Sequence, residues 1–245
     1  MKITADYQAD WFKFQRLFGV LLAIMALLIF LNSGLFAVKS IEVTGNSQLT
    51  DAEIILGSGI RLNQSIFMVQ SRRIEAGLKK SPWIGEVRIV KKYPDTVELL
   101  VRERVPFGVL MYRGNGLLIS EDGMVLQLMD KDRRMPLPRI TGIKLGAAKL
   151  GRMIADPDLE AAIRIIKLAG PEIARTILEV NMSEYALQYR HPKRKEVLTI
   201  LLGDAQELER KIYNLKAILT HLSEALVEID LRTPDLPTVL TPRVN

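Results

Sequence analysis

The chain has 245 residues, a formal net charge of +6 and no cysteine. The absence of cysteine excludes disulfide bridges and cysteine-ligated metal sites, so any folded part must depend on ordinary hydrophobic cores. The positive charge is concentrated partly in residues 130–152 and 190–195; solvated surface explains both segments, and contact with anionic headgroups, cell-wall polymer or an acidic partner is the alternative.

The first predicted element is a membrane-spanning helix. Residues 17–38 contain no charged side chain, and a helix of this length reaches roughly 33 Å, enough to cross a hydrocarbon core of about 30 Å. A cleaved signal peptide is the alternative, but its apolar part would be shorter. Three basic side chains precede the span and one, Lys39, follows it directly. This bias predicts that the tail of residues 1–16 is cytoplasmic and that the chain beyond the span lies outside the cytoplasm.

A small α+β domain is predicted directly after the anchor. Alternating apolar residues predict a strand at 41–43, and Thr50 with Glu53 has the spacing of a helix capping box. A second helix is expected over 71–80, followed by a hairpin of two strands joined at Tyr93-Pro94-Asp95. The order strand, helix, helix, strand, strand predicts two helices on one face of a three-stranded sheet. Units of this kind bind polypeptides more often than they catalyse.

Four short motifs in this domain, residues 39–106, resemble the POTRA domain of the FtsQ type in their order and spacing. They are Val43-Thr44-Gly45-Asn46, Ser81-Pro82-Trp83-Ile84, Tyr93-Pro94-Asp95-Thr96-Val97 and Glu103-Arg104-Val105-Pro106. We interpret their glycine, asparagine and prolines mainly as residues that shape turns. Trp83 is expected to pack in the core, and the two charged residues of the last motif are expected to be solvated or paired at a strand end.

The second domain, residues 107–232, is predicted to be mostly antiparallel β structure with two packed helices. Glu121-Asp122-Gly123 between apolar runs is a strong hairpin signal. Residues 135–142 are interpreted as a proline-rich connection, and Asp156-Pro157 is expected to begin a helix. Further strands are predicted at 107–112, 117–120, 124–128, 177–180, 186–190, 195–202 and 226–232.

A late amphipathic helix is predicted from the apolar residues between Leu208 and Leu222, which recur at alternating spacings of four and three. Packing of this stripe on the chain's own sheet is the first interpretation, and a coiled-coil partner is the alternative. Residues 233–245 contain three prolines and are expected to form a flexible tail.

This second half is similar to the FtsQ/DivIB family in residues 135–142, in the late helix and in Ile229-Asp230-Leu231-Arg232, although Thr233 stands where the family has an aromatic residue. The resemblance covers residues 17 to about 232. It implies a non-enzymatic, single-pass scaffold in the bacterial inner (cytoplasmic) membrane, enriched at the division septum. It further implies binding to FtsB/DivIC and FtsL, and a link from them to the septal peptidoglycan synthase complex.

Partner binding by edge pairing is the physical mechanism that the sequence offers. A last strand followed by a proline-rich tail would leave unpaired backbone groups on which a partner strand can add. The predicted edge residues are Val227, Ile229, Asp230, Leu231 and Arg232. Asp230 and Arg232 are expected to contribute charge pairs to the partner. An internal position for this strand is the alternative.

No catalytic, cofactor or metal site is predicted. The two histidines, His191 and His221, lie far apart and lack metal-ligand spacing. A membrane-anchored serine–lysine protease is the enzymatic alternative, but no Ser-x-x-Lys motif stands in a suitable setting. A POTRA-type chaperone or docking module for exported polypeptides is the other alternative, although such proteins usually continue into a membrane β-barrel. Neither nucleic acid nor a small-molecule substrate is expected as a partner.

Overall fold

The computed structural model describes residues 3–31, 33–130, 135–192, 197–220 and 228–240, with the backbone alone for residues 3–13. The chain divides into two compact units, one up to residue 103 and one from residue 104 onward. Each unit has its own hydrophobic core. The α+β class predicted from the sequence is confirmed.

Helix α1 (Ile3–Leu31) contains the stretch Phe14–Leu31, which is long and apolar enough to cross a membrane and is not buried by the rest of the protein. The prediction that the span continues to Val38 is wrong. The helix ends at Leu31, a 3-10 turn follows over Gly34–Phe36, and Val38 is fully buried in the core of the first unit. Serine and glycine are weak helix formers, and the apolar residues after them belong to the folded domain, which is why the charge-free run exceeds the helix.

The first unit has the predicted order β1 (Ser40–Thr44), α2 (Asp51–Ser58), α3 (Ser71–Leu78), β2 (Ile84–Lys92) and β3 (Thr96–Glu103). Its sheet order is β1-β3-β2, with β1 parallel and β2 antiparallel to the central strand. The predicted capping box is present at the start of α2. Apolar side chains of both helices and of β3 form one core, in which Ile54, Leu78 and Leu99 are almost completely buried.

The second unit contains nine described strands in one sheet. They are β4 (Pro106–Tyr112), β5 (Asn115–Ser120), β6 (Val125–Met129), β7 (Arg139–Thr141), β8 (Ile177–Asn181), β9 (Ala186–Arg190), β10 (Val197–Leu201), β11 (Glu228–Asp230) and β12 (Thr238–Leu240). The order is β12-β11-β10-β9-β8-β7-β4-β5-β6. The pairs β4–β7, β7–β8 and β10–β11 are parallel, and the other neighbours are antiparallel.

Helices α4 (Pro157–Ala169) and α6 (Leu208–Thr220), with the short α5 (Pro171–Ala174), complete this unit. The Asp156 side chain caps α4 by accepting hydrogen bonds from two backbone N–H groups of the first turn. On α6, Leu208, Ile212 and Leu215 are buried in the core shared with the sheet. The coiled-coil alternative is therefore wrong for the described part of this stripe. Leu222 and His221 lie outside the described residues.

Two other predictions for the second unit are wrong. Residues 139–141, interpreted as connection, form β7 in the interior of the sheet, because three residues are too few to show an alternating pattern. The flexible tail expected from residue 233 contains β12 instead, and the prolines at 234 and 237 lie in the connection before this strand rather than within it.

Candidate partner-binding edge

Strand β12 is the last strand at one end of the nine-stranded sheet. Thr238, Val239 and Leu240 pair with β11 on one side, and none of the described strands pairs with the other side. All three side chains are exposed. Proteins usually protect such edges with charges, proline or a covering element, because an unpaired edge accepts foreign strands. None of the three residues of β12 is charged.

The connection that leads to β12 is fixed against helix α6. The side-chain amide of Asn214 donates a hydrogen bond of 2.7 Å to the carbonyl oxygen of Pro234. One turn earlier on the helix, Arg210 forms an ion pair with Asp235. These contacts place the chain between β11 and β12 in a defined position, so the edge strand is supported from the helix as well as from the sheet.

Four exposed apolar or aromatic side chains accompany this edge: Tyr213 of α6, Leu236 of the connection, and Val239 and Leu240 of β12. Their exposed fractions range from 45% to 75%. Tyr213 lies on the same helix face as Arg210 and Asn214, the two residues that hold the connection. We call Tyr213, Leu236, Val239 and Leu240 the edge patch.

Ile229 and Asp230, two of the predicted partner-binding residues, lie in an internal strand, so the prediction that this strand forms the edge of the sheet is wrong. Strand β11 lies between β10 and β12. Ile229 and Leu231 are fully buried and cannot contact a partner, and Val227 lies outside the described residues. The chain returns after β11 and adds one more strand beside it, which moves the edge of the sheet to residues 238–240.

Asp230 and Arg232, which were expected to form charge pairs with a partner, form an ion pair with each other. The Arg232 guanidinium donates hydrogen bonds of 2.6 to 3.0 Å to both carboxylate oxygens of Asp230, and its backbone N–H donates another. The side-chain hydrogen bonds from Arg232 lower the pKa of Asp230, against the opposing effect of burial. Gly203 lies against this pair: a Cβ there would be 2.8 Å from Cγ of Arg232.

A buried lysine, which the sequence pattern did not reveal, fixes α6 to the end of β10. Lys211 is only 2% exposed. Its Nζ donates to the carbonyl oxygen of Leu202 at 2.7 Å and to the carboxylate of Asp204 at 2.5 Å. The hydrogen bond from Lys211 lowers the pKa of Asp204, with burial opposing it. Since β11 pairs with β10, this contact supports the sheet directly behind the edge.

In the first unit, the motif around Gly45 and Asn46 shapes the turn after β1. Gly45 has φ +88, and a Cβ at this position would lie 2.2 Å from the carbonyl oxygen of Val101, so only glycine fits. The Asn46 amide donates to the carbonyl oxygen of Leu49 at 2.9 Å and to the carboxylate of Asp51 at 2.8 Å. These contacts connect the end of β1 with the beginning of α2.

Glu103, at the end of β3, accepts hydrogen bonds from the backbone of this same turn. Its carboxylate accepts hydrogen bonds from the backbone N–H groups of Ser47, Gln48 and Leu49, at 2.7 to 3.1 Å, and from the Ser47 hydroxyl. Burial alone would raise the pKa of Glu103, but these four hydrogen bonds outweigh it and lower the pKa. The carboxylate therefore joins two segments that lie more than 50 residues apart.

The remaining motif residues have different surroundings. Trp83, which was expected to pack in the core, is only half-buried. The neighbouring Ile84 is 2% exposed and belongs to the core. Tyr93 is exposed and precedes the cis peptide bond to Pro94. Arg104, in the second unit, donates from Nε to Asp122 at 2.9 Å, and Pro106 begins β4.

No group of three or more histidine, aspartate and glutamate side chains among the described residues could hold a metal ion. The structure offers a strand edge and a set of ion pairs as its chemically distinctive surfaces.

Residues 36–104 match the family model described as POTRA domain, FtsQ-type. The apolar helix α1 directly precedes this domain, and the open-edged sheet follows it. The fold therefore combines an apolar helix that is long enough to cross a membrane, a POTRA domain of the FtsQ type and a second β unit.

Several known proteins are similar to this chain over most of its length. They include cell division protein DivIB of Clostridium tetani, which is 26% identical over 84% of this chain and 78% of its own. Cell division protein DivIB of Bacillus cytotoxicus is 25% identical over 79% of this chain and 70% of its own. Cell division protein FtsQ of Agrobacterium fabrum is 26% identical over 83% of this chain, which spans 61% of that longer relative. Over most of its length, the chain is thus similar to cell division proteins named DivIB and FtsQ.

Proposed function

We propose that this chain is a non-enzymatic, single-pass membrane scaffold of bacterial cell division, enriched at the septum. Its β12 edge receives a strand from a partner of the FtsB/DivIC type, and together with FtsL this complex is connected to septal peptidoglycan synthesis. The relatives support the division role, because both the DivIB and the FtsQ proteins are named cell division proteins.

The observation that carries this proposal is the uncharged, exposed edge of β12. In strand addition, backbone hydrogen bonds supply affinity, and the side chains at alternate positions supply specificity. Val239 pairs directly with Ile229, whose side chain points into the core beneath the helices. Paired residues share one face of a sheet, so Val239 points to the helix-bearing face, and Thr238 and Leu240 point to the other.

This arrangement defines what the partner segment should be. It is extended, it carries an apolar side chain that packs beside Val239, and it needs no charged anchor, because the nearby Asp230–Arg232 pair is already satisfied within the chain. Tyr213 and Leu236 add apolar surface next to the edge. A partner residue that covers them would remove this exposed surface from water.

The test is to place a lysine on the edge in the full-length chain. Val239→Lys and Leu240→Lys should each weaken capture of a purified FtsB/DivIC-type partner at least about tenfold, since a charge on an edge strand opposes strand addition. Both positions are exposed, so the melting temperature should stay within about 2 °C of that of the parent. Affinity is measured with the detergent-solubilised protein immobilised on a sensor surface.

Leu128→Lys is the matched control. Leu128 is an exposed leucine on β6, the strand at the opposite end of the same sheet. It should leave capture unchanged. Equal capture by all three lysine variants and the parent would contradict the proposed edge. Equal weakening by Leu128→Lys would contradict the assignment of partner binding to β12, because charge at either end of the sheet would then have the same effect.

A further inference from the structure

A row of aromatic rings connects the end of the membrane-spanning stretch with the surface of the first unit. Phe30, in the last turn of α1, contacts Phe36 with a ring-centre distance of 5.5 Å. Phe36 contacts Phe67 at 5.1 Å, and Phe67 stacks on Tyr93 at 5.6 Å. The row therefore starts inside the apolar stretch and ends on the hairpin turn between β2 and β3.

The chain that leaves the membrane helix is also hydrogen-bonded to the two loops that carry these rings. The backbone N–H of Val38 donates to the carbonyl oxygen of Gln64 at 2.8 Å, and the N–H of Asn63 donates back to Val38 at 2.8 Å. On the other side, the N–H of Lys39 donates to the carbonyl oxygen of Asp95 at 2.8 Å. The segment that joins α1 to the domain is thus hydrogen-bonded to both loops, which holds them next to the end of the helix.

The turn after α1 and these two loops expose several apolar side chains. Five side chains, which we call the juxtamembrane patch, are 43% to 71% exposed: Leu35, Leu62, Phe67, Met68 and Tyr93. Single exposed apolar residues are common. A set of five beside a membrane-spanning helix indicates a surface that contacts a membrane or another molecule in the working protein. Arg61 in the same loop is also exposed.

We propose that the juxtamembrane patch contacts the headgroup layer of the lipid bilayer and holds the first unit against the membrane. This inference rests on the membrane anchor of the proposed function and is independent of the β12 edge. The occupant follows from continuity: the patch joins through ring contacts to a residue of the membrane-spanning stretch. Aromatic rings with a polar tip, such as tyrosine, favour the membrane interface, and a basic residue beside them suits anionic headgroups.

Since the chain has no cysteine, single-cysteine variants can each carry one environment-sensitive fluorophore. The full-length protein is reconstituted into phosphatidylethanolamine–phosphatidylglycerol liposomes that contain nitroxide-labelled lipid. A fluorophore at Met68→Cys should be quenched by headgroup and shallow acyl-chain nitroxides at least twice as strongly as one at Arg102→Cys. Arg102 is exposed and lies at the far end of the hairpin, about 20 Å along β3 from Thr96.

A third probe, at Ile24→Cys within the apolar stretch, reports the anchor itself and should be quenched most by nitroxides deep in the acyl chains. Quenching at Met68 no stronger than at Arg102, with Ile24 still quenched, would overturn the membrane contact and leave the anchor intact. An unquenched Ile24 would overturn the anchor and the contact together.

A second variant tests the side chains of the patch. Adding Leu62→Ser and Tyr93→Ser to the Met68→Cys protein should reduce its quenching to the level of Arg102→Cys. Both side chains are exposed, so the fold does not depend on their burial. Unchanged quenching in this variant would also count against the proposal, because the position of Met68 would then be set without the patch. The liposomes contain no other protein, which excludes a partner chain as the source of the signal.

Discussion

At the scale of single residues, the most informative side chain of the first unit is Glu103. Its carboxylate satisfies three consecutive backbone N–H groups at residues 47–49, which no helix or strand of the described chain would otherwise satisfy. Unpaired N–H groups are costly when they lose contact with water, and a carboxylate is a stronger acceptor than a neutral group. The end of β3 and the turn after β1 are therefore held together by one residue.

Glu103→Gln should destabilise the chain by about 1–3 kcal/mol, because the amide keeps one acceptor oxygen and loses the charge. The measurement is urea unfolding of the full-length protein in detergent. The control is Glu86→Gln on the same hairpin, where the glutamate is largely exposed and pairs with Arg102 at the surface. This control should change stability by less than about 1 kcal/mol; an equal loss in both variants would refute the special role of Glu103.

The same residue contributes to the pH dependence of stability. Its pKa is lower in the folded protein than the ordinary glutamate value, so its contribution is complete above that ordinary value and is lost as the pH falls through the folded value. Glu103→Gln should remove this part of the acid destabilisation. The parent and the variant should therefore become more similar in stability as the solution is made more acidic.

At the scale of elements, the support of the edge depends on how α6 is attached to the sheet. The helix follows β10 and leads to β11, which pairs parallel with β10, so it has the position of a crossover helix. On its inner face, the side chains of Leu208, Ile212 and Leu215 are buried. The side chain of Lys211 is buried as well. The lysine is acceptable there because backbone and carboxylate oxygens satisfy it.

Lys211→Met should lower stability by about 1–3 kcal/mol, since the carbonyl oxygen of Leu202 loses its lysine donor while the volume of the side chain is nearly kept. Urea unfolding measures this loss. Lys216→Met, at an exposed position on the same helix, should be close to neutral. If Lys211→Met were as stable as the parent, the buried hydrogen bonds would contribute no net stability, a known outcome for buried charges replaced by apolar groups.

At the scale of the whole molecule, the question is which side of the membrane each part occupies. The basic bias around the span favours a cytoplasmic amino terminus, so the chain from Lys39 onward should lie outside the cytoplasm. We expect Glu86→Cys to react with a membrane-impermeant maleimide in protoplasts or spheroplasts, and Ala5→Cys to react only after the membrane is permeabilised. The opposite pattern would reverse the proposed orientation and remove periplasmic or extracellular partners from the proposed function.

Local patterns were sufficient for several elements. The capping box of Thr50 and Glu53, the hairpin around Pro94 and the Asp-Gly turn at Gly123 are encoded within a few residues, and all three occur as predicted. The fold class followed from their order. Such signals are reliable because caps and tight turns depend on the conformations of neighbouring residues and on little else.

The candidate edge was misplaced because the position of a strand within a sheet is not a local property. The pattern around Ile229 correctly indicated a strand, but only the pairing of residues 238–240 with it decided that this strand is internal. The pairing of Asp230 with Arg232 and the burial of Lys211 depended likewise on which segments meet in three dimensions.

By itself, the sequence determined that there is an apolar anchor, a POTRA-type domain after it and a second, strand-rich domain. These follow from composition and from short periodic patterns. Only the tertiary structure decided where the anchor helix ends, which strands lie at the ends of the large sheet, and which backbone N–H groups donate to Glu103. The physical reason is that burial, edge exposure and hydrogen bonds between distant segments arise from packing, and the free energy of packing belongs to the assembled chain rather than to any one segment.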